Sequence, residues 1–226
     1  MIDLHVNKVY PFLNTPAGAD SRPSCMVLPI KQVQSKINVF RNDADFDWMY
    51  PEHIQLMSEK HWTPLSVAGK AAEFLAVPGS RILDIGSGIG KFCLTAAYHH
   101  SKAEFYGVEQ RTELVQHAQI CKEYAQLSNV YFIHANVTQL NFKEFDHFYF
   151  YNAFYENIDQ DNRIDDNIET SYSLYAYYTH YLFMTLEGMA PGTRLVTYQC
   201  FEYDVPPCYR LVKSAFNNLL QMWIKT

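Results

Sequence analysis

The sequence predicts an α/β fold: a three-layer, doubly wound, mostly parallel sheet with a C-terminal antiparallel hairpin. Three observations carry this. Short apolar runs alternate with segments of helical period, the first run stops at a glycine-rich turn, and the last two runs follow each other with no room for a crossover helix. Strands separated by helices must be parallel, because each crossover returns the chain to the same end of the sheet.

Residues 1–60 mix Pro11, Pro16, Pro23, Pro29 and Pro51 with short apolar pieces and hold neither a long helical period nor strand alternation. They read as an N-terminal arm or lid on a folded domain spanning 61–226. That domain opens at Thr63-Pro64, a capping hydroxyl before a proline at the first helical position. Leu65, Ala68, Ala72 and Leu75 then share one face until Pro78-Gly79. Arg81-Ile82-Leu83-Asp84-Ile85 is short, apolar and β-branched, as a strand buried on both faces should be. A helix over about 91–99, a strand over 103–109 and a helix carrying Leu114, Ala118, Cys121 and Ala125 on one face continue the alternation. A third strand is expected over 130–134 and an aromatic fourth over 145–152. A long helix over 171–186, a fifth strand over 194–200 and two strands joined through Asn217-Asn218 complete the pattern.

Composition narrows the function. The 226 residues are 48% hydrophobic, enough for one well-buried core and too few for two ordinary domains. The formal charge of −6 and the scattered Lys and Arg give no basic stripe, which disfavours nucleic acid as a partner. Cys25, Cys93, Cys121, Cys200 and Cys208 form no C-x-x-C pair, so neither a structural zinc nor a disulfide framework is expected, and no metal ligands are assigned. The first residues lack a basic stretch ahead of an apolar run, and no segment of about 18 apolar residues occurs, so a soluble cytoplasmic protein is expected.

The turn after the first strand is Asp84-Ile85-Gly86-Ser87-Gly88-Ile89-Gly90, or D-x-G-x-G-x-G. Its glycines let the backbone turn sharply and approach a ligand that a Cβ would repel, while the next helix offers unpaired N–H groups. Dinucleotide folds place a third glycine where this chain has Lys91, so NAD or FAD fits poorly. The spacing resembles the first motif of class I, Rossmann-like, S-adenosylmethionine-dependent methyltransferases, and the resemblance covers roughly 61–226. It implies that Asp84, Ile85, Gly86, Ser87, Gly88 and Gly90 border the cofactor and that Glu109, ending the second strand, accepts from the ribose hydroxyls, with Gln110 beside it. At the adenine, the family's commoner Asp is here Asn136, whose amide oxygen can still accept, with the Val137 N–H donating to a ring nitrogen.

The fourth strand delivers Asn152-Ala153-Phe154-Tyr155 to the carboxyl edge of the sheet. This segment partly resembles the N-P-P-Y of amino-group methyltransferases, without its prolines. It also resembles the N-x-F of non-SET histone-lysine methyltransferases, whose other motifs are echoed by Gly107-Val108-Glu109 and Glu187-Gly188. The resemblance implies methyl transfer to a nitrogen of a protein side chain or small molecule, S-adenosylhomocysteine as product, and Asn152 and Tyr155 as catalytic residues, Asn152 also bordering the cofactor. The alternatives are O-methylation of a small metabolite and a catalytically silent cofactor-binding scaffold. His61 and Trp62 lie ahead of the first helix, where they either contact ligand or anchor the lid. Asp159, Asp161, Asp165, Asp166 and Glu169 form an acidic loop that either is solvated or draws a cation.

Overall fold

The computed structural model describes residues 38–226. The first 37 residues, with Cys25 and four of the arm's prolines, lie outside the described residues.

The elements run α1 (Asp43–Asp47), α2 (Glu52–Gln55), α3 (Ser58–His61), α4 (Leu65–Leu75), β1 (Arg81–Ile85), α5 (Lys91–His99), β2 (Glu104–Glu109), α6 (Thr112–Ala125) and β3 (Val130–His134). They continue as β4 (His147–Phe150), α7 (Tyr172–Glu187), β5 (Arg194–Tyr198), β6 (Tyr209–Ala215) and β7 (Leu220–Lys225). One seven-stranded sheet orders them β3-β2-β1-β4-β5-β7-β6. The first five strands pair in parallel, and β7 runs antiparallel to both β5 and β6. The expected hairpin thus closes the edge, through a turn in which Phe216, Asn217 and Asn218 all have positive φ.

Apolar residues alternate across the pleat into two cores. Ile82, Phe105, Tyr149, Val196 and Met222 face one layer, together with α4 and α5, while Leu83, Val108, Phe148, Phe150, Leu195 and Trp223 face α7. Each such side chain, removed from water, contributes about 1.5–3 kcal/mol. Tyr149 belongs to this packing: it stacks on Phe92 at 4.0 Å and its hydroxyl meets that of Thr63 at 3.0 Å. Thr63 therefore does not cap α4. Pro64 takes the N-cap position rather than the first helical one, and β4 ends earlier than its aromatic run suggests because the chain turns sharply at Asn152.

The arm from Asp43 onward is helical, in three pieces too short to show a period in sequence. Phe46, Tyr50, Ile54 and Trp62 are buried in the same core as α4 and α5. Lys91 fastens this segment. Its side chain is 2% exposed, and its ammonium reaches Asp47 at 2.7 Å, Asp43 at 2.8 Å and the Ser58 hydroxyl at 3.2 Å. A buried ammonium is tolerated only when so paired, and removing it strands its carboxylates. Lys91→Ala should therefore lower stability by about 3 kcal/mol in urea unfolding. A change under about 0.5 kcal/mol would show the tie to be incidental.

Candidate active site

Strand order reverses between β1 and β4, and the ends of β1, β2 and β4 surround a crevice of about 400 Å³ at the carboxyl edge. Glu59 and Lys60 at the end of the arm, with His61 and Trp62 that follow, form its outer wall.

The glycine turn is tightly hemmed. Gly86 has φ +75°, and a Cβ there would overlap that of Ala153. Gly88 has φ +53°, and a Cβ there would come within 2.7 Å of the Trp62 ring, which is itself anchored by an indole N–H bond to the Ile54 carbonyl at 3.0 Å. Glu109 is buried at the end of β2, where it accepts from the Gly88 N–H at 3.1 Å and the Arg111 N–H at 2.9 Å. Burial raises its pKa, and those two backbone N–H groups and the Arg111 charge oppose the rise.

The crevice is lined by Gly86, Gly88, Glu109, Gln110, Asn136, Val137, Asn152 and Tyr155 among the residues singled out in sequence. Asp84, Ile85, Ser87 and Gly90 lie behind this surface. Ile85 packs in the core below the sheet, and Gly90 starts α5 with φ +77°, where a Cβ would strike the Phe132 ring at 2.5 Å. The buried Ser87 hydroxyl has no hydrogen-bond partner among the described residues. Asn136 differs from expectation in detail. Its amide oxygen caps the following turn, accepting from the Thr138 N–H and hydroxyl at 3.1 and 2.9 Å, and its amide nitrogen donates to the Tyr178 hydroxyl at 2.8 Å. The Val137 N–H, first in a 3-10 turn, is left without an intrahelical partner by its position.

Asn152 lines the crevice with φ +40°, and Gln199, at the end of the neighbouring β5, lines it with φ +52°. Left-handed backbone in non-glycine residues costs energy and gathers at ligand sites. Gln199 carries no motif and was not legible in sequence. Nor was Arg111, which joins the two sides of the crevice. Its guanidinium forks onto Glu156 at 2.9 and 2.8 Å and reaches Asp165 at 3.0 Å. One carboxylate of the acidic loop, Asp165, is thus paired with Arg111, and another, Asp166, pairs with Arg163 at 2.8 Å. His61 is half-buried in the wall. Burial lowers its pKa below the usual 6.5, Lys60 and Arg111 add to the fall, and Glu156 and Asp159 oppose it, so the imidazole is neutral at neutral pH.

Residues 76–169, less than half of the chain, match a family described as a methyltransferase domain. An RNA methyltransferase from Salinibacter ruber, crystallised with S-adenosylhomocysteine, superposes with a TM-score of 0.51 at 20% identity, over 73% of this chain and 92% of that one. Magnesium protoporphyrin IX methyltransferase from Synechocystis PCC 6803, with bound S-adenosylmethionine, gives 0.50 at 15% identity over 80% and 84% of the two chains. A tRNA (guanine-N(7)-)-methyltransferase of Synechococcus sp. (strain JA-3-3Ab) is 44% identical over 55 residues, which are 24% of this chain and only 23% of that relative. The fold is that of the class I methyltransferases. The stretch from 76 to 169 is similar to a methyltransferase domain.

Burial pushes the Asp84 carboxyl up to about 8, the Glu109 charge adding to the rise and the Cys93 thiol opposing it. The folded value lies above the unfolded one of 3.8, so the proton on Asp84 stabilises the fold fully below 3.8, and that contribution disappears as the pH climbs through about 8. Asp84→Asn should remove this dependence, gaining on the parent by up to roughly 1.4 kcal/mol per pH unit across that window. Urea unfolding at several pH values checks this, and parallel curves for the two proteins would contradict it.

Proposed function

We propose that this chain uses S-adenosylmethionine to methylate a nitrogen of a protein side chain or small molecule. The observation that carries the reading is the meeting of the Gly86–Gly88 turn, the buried Glu109 carboxylate and the strained Asn152 around one crevice.

The residues present fit the cofactor. The turn carries no side chains at Gly86 and Gly88, where a Cβ would strike Ala153 or Trp62, and the Glu109 oxygens, acceptors only, suit two ribose hydroxyls. Gln110, Asn136 and the Val137 N–H would border the adenine. When bound, S-adenosylmethionine supplies an electrophilic methyl group on a sulfonium. Catalysis by the chain is then mostly positioning: the Asn152 amide orients the acceptor, and the Phe154 and Tyr155 faces favour a cation. The neutral His61 imidazole is the group in the wall suited to take the proton an acceptor ammonium must lose.

A nucleic-acid acceptor is the second reading. The acidity of the chain speaks against it, whereas the short similarity to a tRNA methyltransferase that acts at a guanine nitrogen speaks for it. Among the described residues no helix is long and apolar enough to cross a membrane. The four described cysteines are free, which fits a reducing, cytoplasmic setting.

Calorimetric titration with S-adenosylmethionine should show affinity reduced about tenfold or more, at least about 1.4 kcal/mol, in Gly88→Ala and in Glu109→Ala. Parent-like affinity in both would remove the site. Labelled methyl transfer into lysate, fractionated into protein, RNA and small molecules, identifies the acceptor class, and Asn152→Ala should abolish transfer while retaining most cofactor affinity. Cofactor binding with no label transferred would favour the silent scaffold. The transfer rate should climb with pH through a value below 6.5 and then level, with that limb missing in His61→Ala. An unchanged profile in the variant would remove His61 as proton acceptor.

A further inference from the structure

On the flank of the domain, away from the crevice lining, two helices bring together residues that sequence spacing does not connect. Glu113 and His117 stand one turn apart on α6 and so share a face. His53, from α2 of the N-terminal segment, is set against them. Its Nε2 lies 3.2 Å from Glu113 Oε1, and the His117 Nε2 lies 3.7 Å from the same oxygen. All three donor atoms fall within 4.8 Å of one another.

An exposed His–Glu pair is common and contributes little. Here two imidazoles from separate segments aim the same nitrogen at one carboxylate oxygen, and the second contact is too long for a hydrogen bond. Both spacings bracket the edge of about 3.4 Å expected of a tetrahedron with metal–ligand bonds of about 2.0–2.1 Å. Two imidazoles and a carboxylate are a donor set zinc accepts, leaving one position for water. The side chains of His53 and Glu113 are each 60% exposed, so a cation has an open path in.

We propose that His53, Glu113 and His117 form a zinc site that clips the N-terminal segment to α6. The segment is already held at Asp43 and Asp47 by Lys91, and it continues into the crevice wall at residues 59–62. A second tether at α2 fixes that wall against the helix that begins just after Glu109. The site is independent of the methyl-transfer reading, since it needs no cofactor. The C-x-x-C criterion could not have found it, because it contains no cysteine.

The test uses the full chain stripped with a chelator and titrated with Zn²⁺, and in parallel with Co²⁺. One equivalent should bind, raising the thermal midpoint, and the Co²⁺ complex should show visible ligand-field bands without near-ultraviolet thiolate charge transfer. His53→Ala and His117→Ala, with unchanged circular dichroism, should each weaken binding by about tenfold or more. Parent-like affinity in both variants, or a thiolate band in the parent Co²⁺ complex, would place the metal elsewhere and overturn the site.

Discussion

The pairing of Lys91 with Asp43 and Asp47 is the constraint on which the rest of the architecture depends. It stands at the first turn of α5, directly after the glycine loop, where a glycine in a dinucleotide-binding protein would let helix and strand pack closely. A lysine there must find partners, and it finds them in Asp43, Asp47 and Ser58 of the N-terminal segment. The same residue that departs from the dinucleotide-binding pattern thereby docks the segment that walls the crevice. Tyr50 reinforces the docking, its hydroxyl donating to the Ile89 carbonyl inside the loop at 3.0 Å.

Arg111 does for the opposite side what Lys91 does for this one. It follows Glu109 by two residues, shares the electrostatic field of that carboxylate at 4.0 Å, and holds Glu156 and Asp165 across the crevice. The bidentate fork fixes direction as well as distance. The acidic loop, whose spacing fits either solvated acids or a cation trap, is in fact tied at Asp165 to a cation of the chain itself.

The fold was legible because its signals are local. Arg81–Ile85 and Val130–His134 match their expected bounds, as does the helix opening at Lys91, since β-branched apolar runs, glycines and helical period report on near neighbours. The glycine turn and Glu109 were legible for the same reason, each bound to a strand end. Their role in holding a cofactor remains the proposal made above. What sequence did not show is long-range. Gln199 reaches the crevice because β5 lies beside β4, the Arg111 guanidinium hydrogen-bonds residues 45 and 54 positions away, and the short arm helices are held by tertiary burial rather than by any period of their own. Asn136 shows a subtler limit: its type fits an adenine contact, yet its amide is engaged in capping a turn and bonding Tyr178.

The indole of Trp62 lies against the place where Gly88 lacks a side chain, with its N–H held by the Ile54 carbonyl and the residue only 4% exposed. Of the other two tryptophans, Trp48 is 48% exposed and Trp223 sits on the far face of the sheet. Emission from this chain therefore carries one fluorophore in contact with the cradle itself. Any occupant of the turn alters the surroundings of that ring, which gives the protein a built-in optical reporter needing no label.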